Sequence, residues 1–403
     1  MEIVKQILAK MPGVSRVQQQ FIITVLATIY GMRGKVTFSN LSRYSELNEK
    51  TYRRHYEEEF DFMGFNVELI KEVKGDNGQI VALDCSFIPK SGKKTYGLDN
   101  HYNGSVGRNE RGLELATFAI VDLAQNTAYA VDARQTPPEL TAKSDDKSDD
   151  STRVDWYGKY LTEIRPNIPP AILYLVADGY FAKEKFIQVV RGQKLQLISK
   201  LREDADLKFT YQGKYQGRGR PRKYSNKIDL TDTSQWEFVE EVVVGVNLYT
   251  GIAYWMNTKE QVRIAYLQDS RKGDKPKYIV LFSTDLALSA QQILSYYQAR
   301  FQIEFLFRDA KQFTGLTHCQ ARDQQKLDFH FNISLLAVNV AKAILRATHT
   351  HIHPFIFSLD DFKRRAFNLL LLDRFIAYFD LPSDFIKSQP AFSHLINFGS
   401  ITP

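Results

Sequence analysis

Apolar positions repeat with a helical period across 15–32, where Phe21, Ile22, Val25, Leu26 and Ile29 share one face. Ser15 is placed to cap that helix, and Gly31 and Gly34 to close it. The next run, 37–55, breaks near Leu47 and Asn48 into two short helices about a turn. Lys50, Thr51, Arg53, Arg54 and His55 lie on the second of them. The pattern fits a helix-turn-helix whose second helix faces DNA, and fits equally an ordinary helical hairpin with a solvated face.

From residue 79 the period changes to that of strands. Apolar runs cover 79–86, ending at Asp84, then 113–122 and 127–131 about a turn at Asn126, which predicts three antiparallel strands. A polar stretch rich in Gly, Lys and Asn, 90–111, reads as a loop over a phosphate backbone or as a long hairpin connection. The low-complexity segment 139–152 repeats Lys-Ser-Asp-Asp, with nothing rigid to turn its aspartates into metal ligands. A helix over 153–164, closed by Pro166, precedes a strand over 172–177 that ends in Asp178. A helix at 182–191 and a strand at 196–200 follow. Segment 205–276 breaks this rhythm with strands at 238–249, 253–256 and 261–267, a mostly β insertion. A strand at 277–283 leads into helical runs at 295–315, 325–347 and 359–379.

Composition narrows the class. A chain of 403 residues with 44% hydrophobic content has ample material for a core, and its net charge of +7 points weakly towards nucleic acid. Two cysteines, Cys85 and Cys319, cannot make a disulfide framework and suggest a reducing compartment. No signal peptide pattern and no span of about 20 apolar residues is present, so a cytoplasmic protein with no membrane partner is expected.

The chemistry concentrates in 295–315. At roughly 100° per residue on a helix, Tyr297, Arg300, Glu304, Arg308 and Lys311 fall on one stripe, flanked by Ile293, Phe301, Phe305 and Phe307 as packing residues. A carboxylate among cations suits a divalent metal facing a polyanion, with the cations on phosphates. Glu and Arg at this spacing also occur on plain solvated helices. Asp84 and Asp178, each at the end of an apolar strand, could join Glu304 in holding two metals for in-line phosphoryl displacement, or could each simply cap the following turn.

The spacing of Tyr297, Arg300, Glu304 and Lys311 resembles the Tyr-Arg-Glu-Lys signature of DDE transposases of insertion sequence family four. The strand Ile80-Val-Ala-Leu-Asp84 and the segment Ala177-Asp-Gly-Tyr-Phe181 resemble the first- and second-carboxylate motifs of such enzymes. The resemblance spans about 80–320. It implies an α/β fold: an RNase H-like catalytic core, 71–204 and 277–345, interrupted by the β insertion 205–276. An N-terminal helical DNA-binding domain, 1–70, and a C-terminal helical region, 346–403, would flank it. It implies Asp84, Asp178 and Glu304 as catalytic residues and ligands of two Mg²⁺ ions, with Mn²⁺ as a substitute. Tyr297, Arg300 and Lys311 would hold the transposon end, with Arg308, Arg53 and Arg54 as further DNA contacts. The partners would be double-stranded DNA, both terminal inverted repeats and target, and a second copy of the chain in the DNA complex, acting at the nucleoid. The reaction would be cut-and-paste through hairpin ends. The alternatives are an RNase H-like nuclease without strand transfer and a domesticated, non-catalytic DNA-binding protein.

Three further features sit outside the signature. Gly217-Arg-Gly-Arg-Pro-Arg-Lys223 has the form of an AT-hook, offering Arg218, Arg220, Arg222 and Lys223 to a minor groove, or is a solvated hairpin tip. Trp236 and Trp255 lie in the insertion; both suit a core, and Trp255 is the candidate for stacking on a flipped base. His349, His351 and His353 alternate before Pro354 with no other ligand type nearby, and read as a polar loop.

Overall fold

The computed structural model describes residues 1–73, 78–138, 140, 152–211, 213, 217, 223–271, 276–348 and 357–401. Five helices open the chain: α1 (Glu2–Lys10), α2 (Arg16–Gly31), α3 (Phe38–Arg43), α4 (Glu49–His55) and α5 (Phe62–Val73). Ser15 caps α2 as expected, accepting from the Gln18 backbone N–H at 3.2 Å. The expected boundary at residue 70 falls inside α5, which packs on α10 and β4 described below.

Strands β1 (Gln79–Pro89), β2 (Asp99–Asn103), β3 (Arg108–Asp122) and β4 (Thr127–Gln135) follow. The 90–111 stretch is therefore not one long connection, because β2 and the start of β3 form a hairpin within it. After helix α6 (Arg153–Ile164) come β5 (Tyr174–Ala177), α7 (Glu184–Gly192) and β6 (Gln196–Lys200). Strands β7 (Leu207–Thr210), β8 (Tyr224–Lys227), β9 (Glu237–Val243), β10 (Val246–Trp255) and β11 (Glu260–Asp269) fall in the segment expected as an insertion, and β12 (Lys277–Ser283) follows it. Helices α8 (Ala290–Ala299), α9 (Phe301–Asp309), α10 (Gln324–Thr348), α11 (Leu359–Tyr378), α12 (Ser383–Ser388) and α13 (Pro390–Ile396) complete the chain.

All strands join one sheet in the order β2-β3-β1-β5-β6-β12-β11-β10-β7-β8, with β4 also on β3 and β9 also on β10. The insertion is thus continuous with the core sheet through the antiparallel pair β11 and β12. Among the described residues, only β1 with β5 and β5 with β6 are parallel. Alternation along β3 sends Glu114, Ala116 and Phe118 to one face, where Phe118 meets Tyr160 of α6 edge-on at 4.8 Å between centroids. Asp84 and its cross-strand partner Thr117 turn to the other face, towards α9, which packs on β1, β3 and β4.

Strand β4 pairs only with β3, so its outer edge would leave buried backbone groups without partners. Helix α10, apolar nearly all round, covers that edge and carries the missing polar groups. Asn339 accepts from the Ala130 N–H at 3.0 Å and donates to the Ala130 carbonyl at 2.8 Å. Asn332 does the same for Ala133, and Lys342 donates to the Ala128 carbonyl at 2.8 Å. A bulge at Phe118/Ala119 shifts the phase of β4, and Asn66 of α5 takes the displaced Val131 carbonyl at 3.1 Å.

Asn339 is fully buried. Asn339→Ala leaves both Ala130 groups dry and unpaired, and the expected loss is roughly 2–4 kcal/mol. It would be measured as a lower denaturant midpoint at unchanged slope.

Candidate active site

Parallel pairing sets Val81 beside Leu175, Ala82 beside Val176 and Leu83 beside Ala177, so the next residues, Asp84 and Asp178, stand side by side. Asp84 does not end its strand as expected: β1 continues to Pro89 along β3, and it is the shorter β5 that stops. The Asp84 carboxylate accepts from the Cys85 N–H at 2.9 Å. Asp178 caps the turn Gly179–Phe181 by accepting from the Tyr180 N–H at 2.9 Å, and its own carbonyl accepts from the Ser199 hydroxyl at 2.7 Å.

The third carboxylate comes from α9. The run 295–315 is not one uninterrupted helix: it breaks at Arg300 between α8 and α9, and a π-turn at Ala310–Thr314 ends at left-handed Gly315. At the break, the Arg300 guanidinium turns into the protein, only 7% exposed. Its Nη1 donates to Asp84 at 3.1 Å and its Nη2 to Glu304 at 2.8 Å. Tyr297 lies alongside, its ring centroid 5.6 Å from the guanidinium carbon. The face of α9 that packs is a second difference from expectation. Phe301 and Phe305 face solvent at 46% and 43% exposure, while Ile303, Leu306 and Phe307 do the packing.

The electrostatics are those of carboxylates short of positive charge. Burial pushes Asp84 up to about 7, with Arg300 opposing and Asp178 adding to the rise. Burial likewise raises Asp178 and Tyr297 and lowers Lys311, which Asp84 pulls back. Carboxylate oxygens are the donor set that hard divalent cations take. The guanidinium bridges Asp84 and Glu304. Among the described residues no three acidic, His or Cys side chains close a metal cage.

The other sequence candidates are spread over the surface. Arg308 is exposed, bonded to Asp309 at 2.9 Å and lying over the Phe305 ring. Arg53 and Arg54 are exposed on α4, Arg53 being held by Glu49, whereas His55 turns inward and stacks on Phe21 with centroids 4.3 Å apart. Lys223 borders a groove with Tyr211, Tyr224 and Tyr254. Trp255 is 6% exposed, edge-on to Phe282, and lines a cavity with Lys183, Arg202 and Asn257. Trp236 stacks on Tyr266. Arg218, Arg220, Arg222, the three histidines at 349, 351 and 353, and most of 139–151 lie outside the described residues.

With this geometry in view, similarity to known families is informative. Residues 67–250 match the family of DDE superfamily endonucleases. The match takes in Asp84 and Asp178 and stops before Glu304. It supports a DDE-type transposase or nuclease that uses divalent metal. No curated protein matches the chain. Among the described residues, no helix is long and apolar enough to cross a membrane.

Sequence reading passed over Glu114, buried on β3, which accepts from the Tyr157 hydroxyl at 2.5 Å and from Thr136 at 2.9 Å. A glutamate inside an otherwise apolar strand was the available signal.

Asp84 supports a pH test on metal-free protein. Its unfolded form ionises near about 3.9, while the folded form keeps its proton to about 7. The native state binds the extra proton in that window, so this group destabilises the fold increasingly as pH rises through it. Melting temperatures in EDTA should therefore show Asp84→Asn gaining on the wild type from acid to neutral pH, and a constant gap would contradict the assignment.

Proposed function

We propose that the chain is a DNA transposase that cleaves insertion-sequence ends and joins them to target DNA by phosphoryl transfer. The observation that carries this reading is that Asp178 stands beside Asp84 on neighbouring strands while the Arg300 guanidinium bridges Asp84 to Glu304. The sheet order supports an RNase H-like core, with antiparallel β4-β3-β1 continued by parallel β5 and β6.

Asp84, Asp178 and Glu304 would hold two Mg²⁺ ions, with Mn²⁺ as a substitute. Bound there, the metals would lower the pKa of an attacking water or 3′-hydroxyl and stabilise the leaving oxygen. Arg300 fixes the orientation of Asp84 and Glu304 from a water-poor position. Tyr297 and Lys311 flank it on the same side of the fold, where a hydroxyl and a cation can take phosphate oxygens of the transposon end. Arg308, Lys223, Arg53 and Arg54 would extend that contact along double-stranded DNA. Trp255, at the rim of its cavity, would receive a base if the reaction passes through hairpin ends. Cutting two ends together calls for a homodimer in the DNA complex. Cleavage without strand transfer is the second reading, since the matching family is described as endonucleases.

The test uses a plasmid carrying the DNA that flanks the gene. With Mg²⁺ the wild type should cut at the borders, and EDTA should stop it. Glu304→Gln should bind the same DNA and cut at least about 1,000-fold more slowly, ~4 kcal/mol of transition-state stabilisation. Cutting by Glu304→Gln at the wild-type rate would remove Glu304 from the chemistry.

A further inference from the structure

A second cationic position lies beside Asp178, on the side of the sheet that faces α6. A cavity there is bounded by Arg153 and Val154 at the start of α6 and by Tyr180, Lys183 and Glu184 after Asp178. Arg153 is fixed from behind by buried groups. Its Nη1 is 3.5 Å from Glu114, and its Nη2 donates to His101 Nδ1 at 3.2 Å. Glu114 is itself held by Tyr157 and Thr136, and the Tyr157 hydroxyl accepts from the Cys85 thiol at 3.3 Å. One donor of Arg153, the buried Nε, has no partner.

Lys183 is exposed, its ammonium 3.9 Å from the centre of the Tyr180 ring. Burial and the nearness of Arg153 both lower its pKa, and Asp178 opposes them. Lys185, in the same lining, is matched by Asp155 at 3.4 Å. The cavity thus brings together Arg153, preorganised by Glu114 and His101, and Lys183, whose ammonium Arg153 disfavours. An anion between them relieves the repulsion. Glu184 in the same lining disfavours a ligand with negative charge spread throughout the cavity, and so selects a single phosphate group.

We propose that this cavity is a subsite for one backbone phosphate of the DNA strand next to the scissile phosphodiester. Arg153 and Lys183 clamp it, the adjoining nucleoside lies against Tyr180, and Glu114 and His101 act as positioning residues for Arg153. The Tyr180 N–H bonded to the Asp178 carboxylate ties the subsite to the carboxylate cluster, so the clamp sets the register of the strand at the point of cleavage. The inference rests on the transposase reading and names a contact for it.

The probe is a fluorescein-labelled duplex of roughly 30 base pairs from the flanking DNA, titrated with full-length protein in EDTA across a range of salt. Losing one phosphate contact should weaken binding about fivefold and reduce the slope of log K against log salt by about 0.9. Lys183→Gln, a surface change that leaves the core intact, should show this. Arg153→Gln should show it more strongly, with partial recovery in Arg153→Lys. If Arg153→Gln melts early because Glu114 is left unpaired, Lys183→Gln alone decides. A single neutral methylphosphonate, moved along the strand, should weaken the wild type at one position beside the cut and have no effect there on Lys183→Gln. A folded Lys183→Gln with wild-type affinity, salt slope and methylphosphonate profile overturns the subsite, and leaves the carboxylate reading intact if the wild type still cuts with Mg²⁺. A wild type that neither binds nor cuts the duplex overturns both.

Discussion

Carboxylates brought together in a half-buried space need a counter-charge, and here Arg300 supplies it. Its guanidinium spans Asp84 and Glu304, which arrive from β1 and α9. The cost of desolvating a guanidinium is offset only where the geometry is good and both partners are present. That condition is met here, since Arg300 keeps helical backbone angles between α8 and α9 and reaches Glu304 one turn on and Asp84 on β1. Burial keeps Asp84 protonated up to about 7, against the opposing pull of Arg300 and with Asp178 adding to the rise. The arrangement is short of cations, the electrostatic condition a divalent metal answers.

Holding that arrangement requires support far from it. Strand β1 must keep its register with both β3 and β5, and β3 in turn is backed by β4. The free edge of β4 is closed by Asn332, Asn339 and Lys342 of α10, with Asn66 of α5 joining them. Helix α2 is tied to the same assembly through the Tyr30 hydroxyl, which donates to the Ala337 carbonyl at 2.7 Å. The opening helices are therefore packed into the core that carries the carboxylates, and α4 with Arg53 and Arg54 is placed relative to them. On the other side, the continuous ladder from β6 through β12 to β11 and β10 attaches the insertion, with Trp255, to the strand beside Asp178. The positively charged positions thus share one frame with the carboxylates.

Much of this was legible in the order of residues. Periodicity placed α2, β3, β4, β5, α10 and α11 close to where they occur, because each buries one face or all of its surface and so writes its own pattern. The carboxylates were legible too, since aspartates at the edge of apolar runs and a glutamate at fixed offsets from Tyr, Arg and Lys are local features. What only the tertiary structure decided is what depends on partners distant in sequence. The alignment of Asp84 with Asp178 comes from the β1–β5 register, where nothing local fixes which residues face each other. Phe301 and Phe305 carry the same apolar signal as Ile303 and Leu306, and which of the two opposite faces of α9 packs on the sheet was decided only by the fold. Arg300 itself reads as a surface cation in any window of sequence, and becomes internal because two carboxylates, one of them on a strand far away in the chain, wait for it. Glu114 reads as an outward residue on an alternating strand, and is buried because Tyr157, Thr136, Arg153 and His101 converge on it from other elements. Sequence determines which side chains can be buried or charged at low cost; burial of a charge depends on a partner, and partners are assigned only when the chain has folded.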